Sequence, residues 1–313
     1  MMANISVCIL QTGKQYRYIL YTTVFTTVFF LGLTLNCAAL WIFHKKFEIW
    51  TSTVIYMVNL AFSDLLLTIS LPLRIYYFAF RKWPFGDVMC MIPATLFSIN
   101  VFSSSFMITL ISLDRYLAIV YPIRSRHLRS QKAARITCAM VWVFMLTVSF
   151  PLGLAHKTTM DKRNETHCFE CHLQDTWKSA VNVLLGTSFV GFYVPFIVTL
   201  FCTVAAIRTL KNCKMDSDVV DKFKLIKLFA VNIIVFVICF GPFHSIIIPY
   251  AMEKAEILHS SQDFLSHAHI ITLCLVSTNS CIDPVIYFFA ISSSGVKSKM
   301  QKDVSDKKEI VQN

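Results

Sequence analysis

The sequence predicts an all-α membrane protein, a seven-transmembrane helix bundle, and three observations carry that prediction. First, the 313 residues are 56% hydrophobic and only 15% charged, with mean hydropathy +0.60, more apolar surface than a soluble domain of this size can bury. Second, the apolar residues fall into seven runs, approximately 19–43, 53–80, 88–120, 134–154, 179–207, 226–252 and 264–290. Each matches the roughly 20 residues a helix needs to cross hydrocarbon. Third, these runs lack the charged face of an amphipathic soluble helix. From Leu228 to Met252 there is no Asp, Glu, Lys or Arg.

Short polar connectors separate the runs, with no Gly/Ser-rich linker, repeat or low-complexity segment. One integral unit is therefore expected: residues 1–18 an extracellular tail, 19–290 the membrane domain, 291–313 a cytoplasmic tail. Orientation follows the positive-inside rule. With the first tail outside, the inner segments hold 18 bases against seven acids, and the outer ones nine bases against eight acids. The basic pI thus reflects topology and does not point to nucleic acid. The glycosylation triplets Asn4-Ile5-Ser6 and Asn164-Glu165-Thr166 both fall outside. No cleavable signal peptide is recognisable, so the first span is expected to serve as its own anchor. Most of the 11 cysteines lie in spans as small core residues. Cys8, Cys90, Cys168 and Cys171 face the oxidising side, an even number that suits disulfides.

Taken in order, each span carries a polar or backbone-breaking marker. The first has Gly32-x-x-x-Asn36; the second Leu60-Ala61-x-x-Asp64, then Pro72 and Arg74. The third runs from Cys90 to Asp114-Arg115-Tyr116. The fourth holds Trp142 and the fifth Pro195. The sixth reads Phe236-x-x-Cys239-Phe240-x-Pro242, followed by His244; the seventh reads Asn279-Ser280-x-x-Asp283-Pro284-x-x-Tyr287. Any one ionisable group here can be a structural hydrogen-bonding residue. Six of them in ordered positions point to a functional interior.

These markers, in this order, resemble the rhodopsin-like G-protein-coupled receptors from about Ile19 to Phe289. The resemblance implies a receptor and no enzyme, with a heterotrimeric G protein inside and arrestin and receptor kinases as further partners, at the plasma membrane. It assigns coupling and activation to Asp114, Arg115, Tyr116, Phe240, Pro242, Asp283, Pro284 and Tyr287. Arg115 is expected to be held by Asp114 until the sixth helix, kinked at Pro242, swings outward. It implies an inactive-state sodium site at Asp64, Asn100, Ser104, Asn279, Ser280 and Asp283, whose oxygens suit a hard cation; no other metal and no cofactor is expected. Phe240 stands where many relatives have tryptophan, and Asp283 where most have asparagine. The stretch "FFAISSSGVKSKM" lacks the Phe-Arg start of an eighth helix and a palmitoylation cysteine, and Ser292, Ser293, Ser294 and Ser298 are phosphorylation candidates.

The ligand is read mostly by exclusion. Phe97 stands where amine receptors have an acid, and Ser277 where a retinal protein has lysine. The first tail is too short for a tethered ligand or a large hormone-binding domain, and the near-neutral exterior is unlike chemokine receptors. "SLPLRIYYFAFRKWPFGD", "DRYLAIVYPIRSRHLRS", "CFE…DTWKS" and "FVICFGPFH" resemble the purinergic and lysophosphatidic-acid receptor cluster. His244-Ser245-Ile246-Ile247 lacks the second base that nucleotide receptors show, so a lysophospholipid such as lysophosphatidic acid is the leading ligand and a nucleotide or other small anion the alternative. Arg74 is the head-group candidate, because a guanidinium forks onto phosphate oxygens; its bland reading is an ion pair or a snorkelling side chain. Arg17 and Lys178, with Lys14, Arg81 and Lys82, ring the mouth, and Tyr76, Tyr77, Phe97, Phe243 and His244 are candidate lining residues. The resemblance implies a disulfide from Cys90 to the second outer loop, where "CFE" favours Cys168 over Cys171; Cys8 and Cys171 remain as a possible further pair. A transporter or channel would show inverted repeats or paired broken helices, and neither is found. An intramembrane enzyme would need a metal set; His267 and His269 read instead as outer-loop residues.

Overall fold

The computed structural model describes residues 15–46, 50–154, 156–160, 165–169, 174–212, 222–258 and 264–288. Among the described residues, seven helices are long and apolar enough to span a bilayer: α1 Tyr16–Lys46, α2 Ser52–Phe80, α3 Gly86–Val120, α4 Gln131–Leu154, α5 Trp177–Asn212, α6 Phe223–Lys254 and α7 Phe264–Phe288. They coincide with the seven expected runs to within a few residues. α1 starts at Tyr16 rather than 19, which moves Arg17 from the expected tail into the first turn of the helix.

Local chemistry sets several of the ends. The hydroxyl of Thr51 accepts from Val54 N at 3.4 Å and caps α2, satisfying an amide that the first turn leaves without a helical partner. At the other end Arg81 adopts φ 60°, the left-handed conformation, and donates its N–H to Tyr77 O at 2.7 Å. Pro72, Pro93, Pro151 and Pro242 sit inside helices, tolerated in spans because neighbouring helices re-satisfy the freed carbonyls. In α5 the stretch Phe189–Tyr193 is a π-helical turn just before Pro195, a bulge common at functional positions.

Apolar side chains face outward as well as inward, and the centre of the bundle also buries polar ones. Phe30 and Trp41 are 61% and 64% exposed on the lipid-facing side. Asn36, Asp64, Asn100, Ser103, Ser104, Asn279, Ser280 and Asp283 are buried in the centre. With hydrocarbon outside, apolar side chains gain nothing from turning inward, and interhelical hydrogen bonds join the spans instead. Asn36 Nδ2 donates to Gly32 O at 2.9 Å and to Ser280 O at 2.8 Å, joining α1 to α7. Gly32 is needed there: a Cβ at that position would lie 2.5 Å from Thr68 Cγ2. Trp142 Nε1 donates to Asn59 Oδ1 at 2.9 Å across α4 and α2. Asn232 Nδ2 donates to Ser112 Oγ at 2.9 Å across α6 and α3.

A short hairpin roofs the outer end. β1 (Thr159–Met160) pairs antiparallel with β2 (Thr166–His167), with Thr159 opposite His167 and Met160 opposite Thr166. The Cys90–Cys168 disulfide fastens it to α3. Trp83 N donates to Thr166 O at 2.9 Å, Lys82 pairs with Glu165 at 2.7 Å, and Asp87 accepts from Thr158 N at 2.9 Å. Strands of two residues leave no alternating pattern in sequence, so the sequence does not predict the hairpin.

Candidate functional site

Three sites line up along the bundle axis. At the outer end, Arg74 is buried on α2, with 5% of its surface exposed. Its Nη2 donates to Pro93 O at 3.1 Å. Its guanidinium carbon lies 5.0 Å from the ring centre of Phe97 and 4.6 Å from that of Phe169. No carboxylate among the described residues pairs with it, and Nε has no hydrogen-bond partner. A buried cation compensated only by ring faces and one carbonyl is costly. The arrangement suits an anion that arrives from outside.

Phe169 was not singled out from sequence. It occupies φ 65°, a region unfavourable for a side chain with a Cβ. The disulfide at its neighbour Cys168 holds it there, over Arg74 and against Trp83 and Phe78. The one signal in sequence is its place next to Cys168, which ties this segment to the top of α3.

The other expected ligand residues divide. Phe97 meets Phe243 edge-on at 6.1 Å, and Phe243 meets His244 at 5.3 Å. His244 stacks on Phe192 at 4.7 Å, and its Nδ1 shares a 3.2 Å hydrogen bond with Ser188 Oγ. Arg74, Phe97, Phe243 and His244 thus form one connected wall. Tyr77 does not join it. The Tyr77 side chain is wholly buried under the hairpin, its hydroxyl 3.4 Å from His167 Nδ1, and it braces Phe169. Tyr76 packs against Phe80 and Phe85. Lys178 is exposed on α5, and Arg17 lies over Tyr18 at the α1 rim. His267 and His269, expected in the outer loop, belong to α7, where His267 bonds Tyr16 of α1 and His269 stacks on Tyr250 of α6 at 4.3 Å. Asn4, Cys8, Lys14, Asn164, Cys171 and the serines from Ser292 to Ser298 lie outside the described residues.

In the middle, Asn100 Nδ2 donates to Asp64 Oδ1 at 2.8 Å, and Asn279 Nδ2 donates to Asp283 Oδ2 at 2.6 Å. Asp64 Oδ2, Ser104 Oγ and Asn279 Oδ1 are buried without a hydrogen-bond partner. Buried oxygens left in this state ask for a ligand. These three hard oxygens, one of them carboxylate, are of the donor type that a hard cation such as sodium takes.

At the inner end the expected pairing differs. Asp114 accepts from Ser52 Oγ and Thr53 Oγ1, both at 2.5 Å, and pairs with Arg129 Nε at 3.2 Å. Arg115 makes no ion pair among the described residues and points into a cavity shared with Leu228, Asn232, Asp283 and Tyr287. The physical reason is geometric: neighbours on a helix lie about 100° apart and do not face one another, whereas α2 and the inner loop present donors directly to Asp114. Tyr116 packs on Phe201 and Tyr121. Phe240 is buried against Phe236 at 5.3 Å, two residues before Pro242. Pro284 and Tyr287 are buried on α7.

Comparison with known proteins agrees with this geometry. Residues 35–287 match the pattern described as 7 transmembrane receptor (rhodopsin family). The chain is 38% identical to lysophosphatidic acid receptor 6 of Gallus gallus, over 93% of this chain and 96% of that one. It is 36% identical to lysophosphatidic acid receptor 4 of Mus musculus, over 89% and 76%. With lysophosphatidic acid receptor 5 of Bos taurus it shares 33% identity, over 90% and 78%.

Proposed function

The chain belongs to the rhodopsin family of seven-transmembrane receptors, and within it we propose a receptor for an extracellular lysophospholipid such as lysophosphatidic acid, coupled to a heterotrimeric G protein. The observation that carries the proposal is the buried guanidinium of Arg74, which has no acid partner among the described residues. A phosphate supplies the missing charge, and the low dielectric around Phe97 and Phe169 strengthens the contact. The names of the relatives point to the same ligand class.

From Arg74 the rings of Phe97, Phe243, His244, Phe192 and Phe236 run in unbroken contact to Phe240 on α6. A head group that draws Arg74 shifts the first member of this series. Pro242 lets the inner half of α6 answer with a larger displacement. That movement widens the cavity in which Arg115 waits for the G protein. At the middle of the bundle, Asp64, Asn100, Ser104, Asn279, Ser280 and Asp283 are the residues that would hold a sodium ion in the resting state, and a cation there would offset the charge of the buried carboxylates. The N-terminus faces outward at the plasma membrane, in keeping with the cationic inner segments. Arrestin and receptor kinases act on the inner face.

The test is G-protein activation in cells expressing the chain, challenged with a lysophospholipid panel and a nucleotide panel. A response to phosphate-bearing lysophospholipids alone supports the proposal. A response confined to nucleotides moves the ligand class to the alternative.

A further inference from the structure

The outer rim carries a second cationic arrangement, separate from Arg74. The guanidinium carbon of Arg17 lies 4.7 Å from the ring centre of Tyr18, and that of Arg81 lies 4.4 Å from the same ring. Arg17 Nη2 also donates to the Tyr18 hydroxyl at 2.7 Å. Two like charges on one ring repel each other, and no carboxylate among the described residues pairs with Arg81. The adjacent Lys82 is different, because Glu165 pairs with it at 2.7 Å. Of these two neighbouring rim cations, Arg81 is the one left to attract an anion.

Arg81 reaches this place through an unfavourable backbone. It closes α2 at φ 60°, ψ 20°, a position that helices usually give to glycine. A residue with a Cβ in that conformation stores strain, and such strain gathers at working sites. Here the strained turn carries the guanidinium back over α1.

The rim joins the inner site through aromatic rings. Tyr18 lies 6.3 Å from Phe78, Phe78 lies 6.3 Å from Phe169, and Phe169 lies 4.6 Å from the Arg74 guanidinium. Arg81 is exposed at the rim, whereas Arg74 is buried. An anion arriving from outside therefore meets Arg81 before it reaches Arg74.

We infer that Arg17 and Arg81, gathered on the Tyr18 ring, form an outer anion subsite that captures the phosphate of an arriving lysophospholipid before it reaches Arg74. The inference rests on the lysophospholipid reading above. A rim charge of this kind governs encounter and its salt dependence, whereas a buried contact governs residence.

The experiment measures association and dissociation of tritiated lysophosphatidic acid on the full-length receptor in phosphatidylcholine nanodiscs, at about 50 and about 500 mM salt. Arg81→Gly is the chosen variant, because glycine takes φ 60° without strain and the turn survives the loss of charge. Association is expected to slow about threefold to tenfold at low salt and to lose most of its salt dependence. Dissociation should stay within about twofold of wild type. Tyr18→Leu, which removes the platform, should give the same signature. Unaltered association in Arg81→Gly, or a rise in dissociation that accounts for the whole loss, overturns the capture subsite. Absence of binding to wild type overturns the lysophospholipid reading and this inference together.

Discussion

Asp114 pairs with Arg129 of the inner loop at 3.2 Å and leaves its neighbour Arg115 turned toward the inner cavity. Ser52 and Thr53 donate to the same carboxylate, so four groups join α2, α3 and the loop in one arrangement. Such a charge cluster favours one packing of a two-state element.

Breaking it releases that packing. A partly exposed ion pair contributes about 1 kcal/mol, equivalent to about a fivefold change in a two-state ratio. Arg129→Gln should therefore raise ligand-independent G-protein activation about threefold to tenfold at matched surface density. Basal activity equal to wild type would mean that the pair does not hold the resting state.

The ring of Phe169 over Arg74 predicts a loss of ligand potency when it is removed. Phe169→Gly relieves the positive φ while deleting the ring, so the loop keeps its path and the cation loses one face. A cation–π contact away from water contributes about 1–2 kcal/mol, and the half-maximal ligand concentration should rise about fivefold to thirtyfold. Phe169→Tyr should stay close to wild type. Dose–response curves at matched expression decide it.

Gly191 tests the packing of the π-helical turn. A Cβ there would lie 2.5 and 2.6 Å from the Phe102 ring of α3. Gly191→Ala should cost about 1–3 kcal/mol of stability through overpacking and lower the melting temperature of the purified receptor. Adding Phe102→Leu should restore part of it. A melting temperature unchanged by Gly191→Ala would mean that the helices part more readily than their contact suggests.

The unpartnered oxygens around Asp64 predict an effect of sodium. Agonist affinity of wild type should fall when choline is replaced by sodium, and Asp64→Asn should abolish the difference. Ligand displacement in the two salts reads this directly. Sodium sensitivity that persists in Asp64→Asn would place the ion elsewhere.

Much of this organisation was legible in the sequence because lipid imposes simple demands. A span must be long, apolar and internally hydrogen-bonded, so all seven helices could be read within a few residues. Ionisable residues are expensive there, which makes Asp64, Arg74, His244 and Asp283 conspicuous in the sequence, whereas Asn100 is marked only by the resemblance to the receptor family. Contacts made by loops were harder. Arg129 was counted only as an inner base, because nothing local says that it folds back fifteen positions to Asp114. Tyr77 looked like a lining aromatic, yet its side of α2 meets the hairpin, whose two-residue strands carry no periodic signal. The π turn likewise has no pattern of its own; only Gly191 within it and the nearby Pro195 hint at irregular backbone.

Arg74 is where the central claim meets measurement most directly: equilibrium binding of labelled lysophosphatidic acid to purified wild type, Arg74→Lys and Arg74→Gln. If the buried guanidinium holds the phosphate, Arg74→Gln should weaken binding about 100-fold, the equivalent of about 2.8 kcal/mol. Arg74→Lys should fall between the two, because it keeps the charge but loses the fork. Equal affinity in all three folded proteins would contradict the claim and make Arg74 a structural residue.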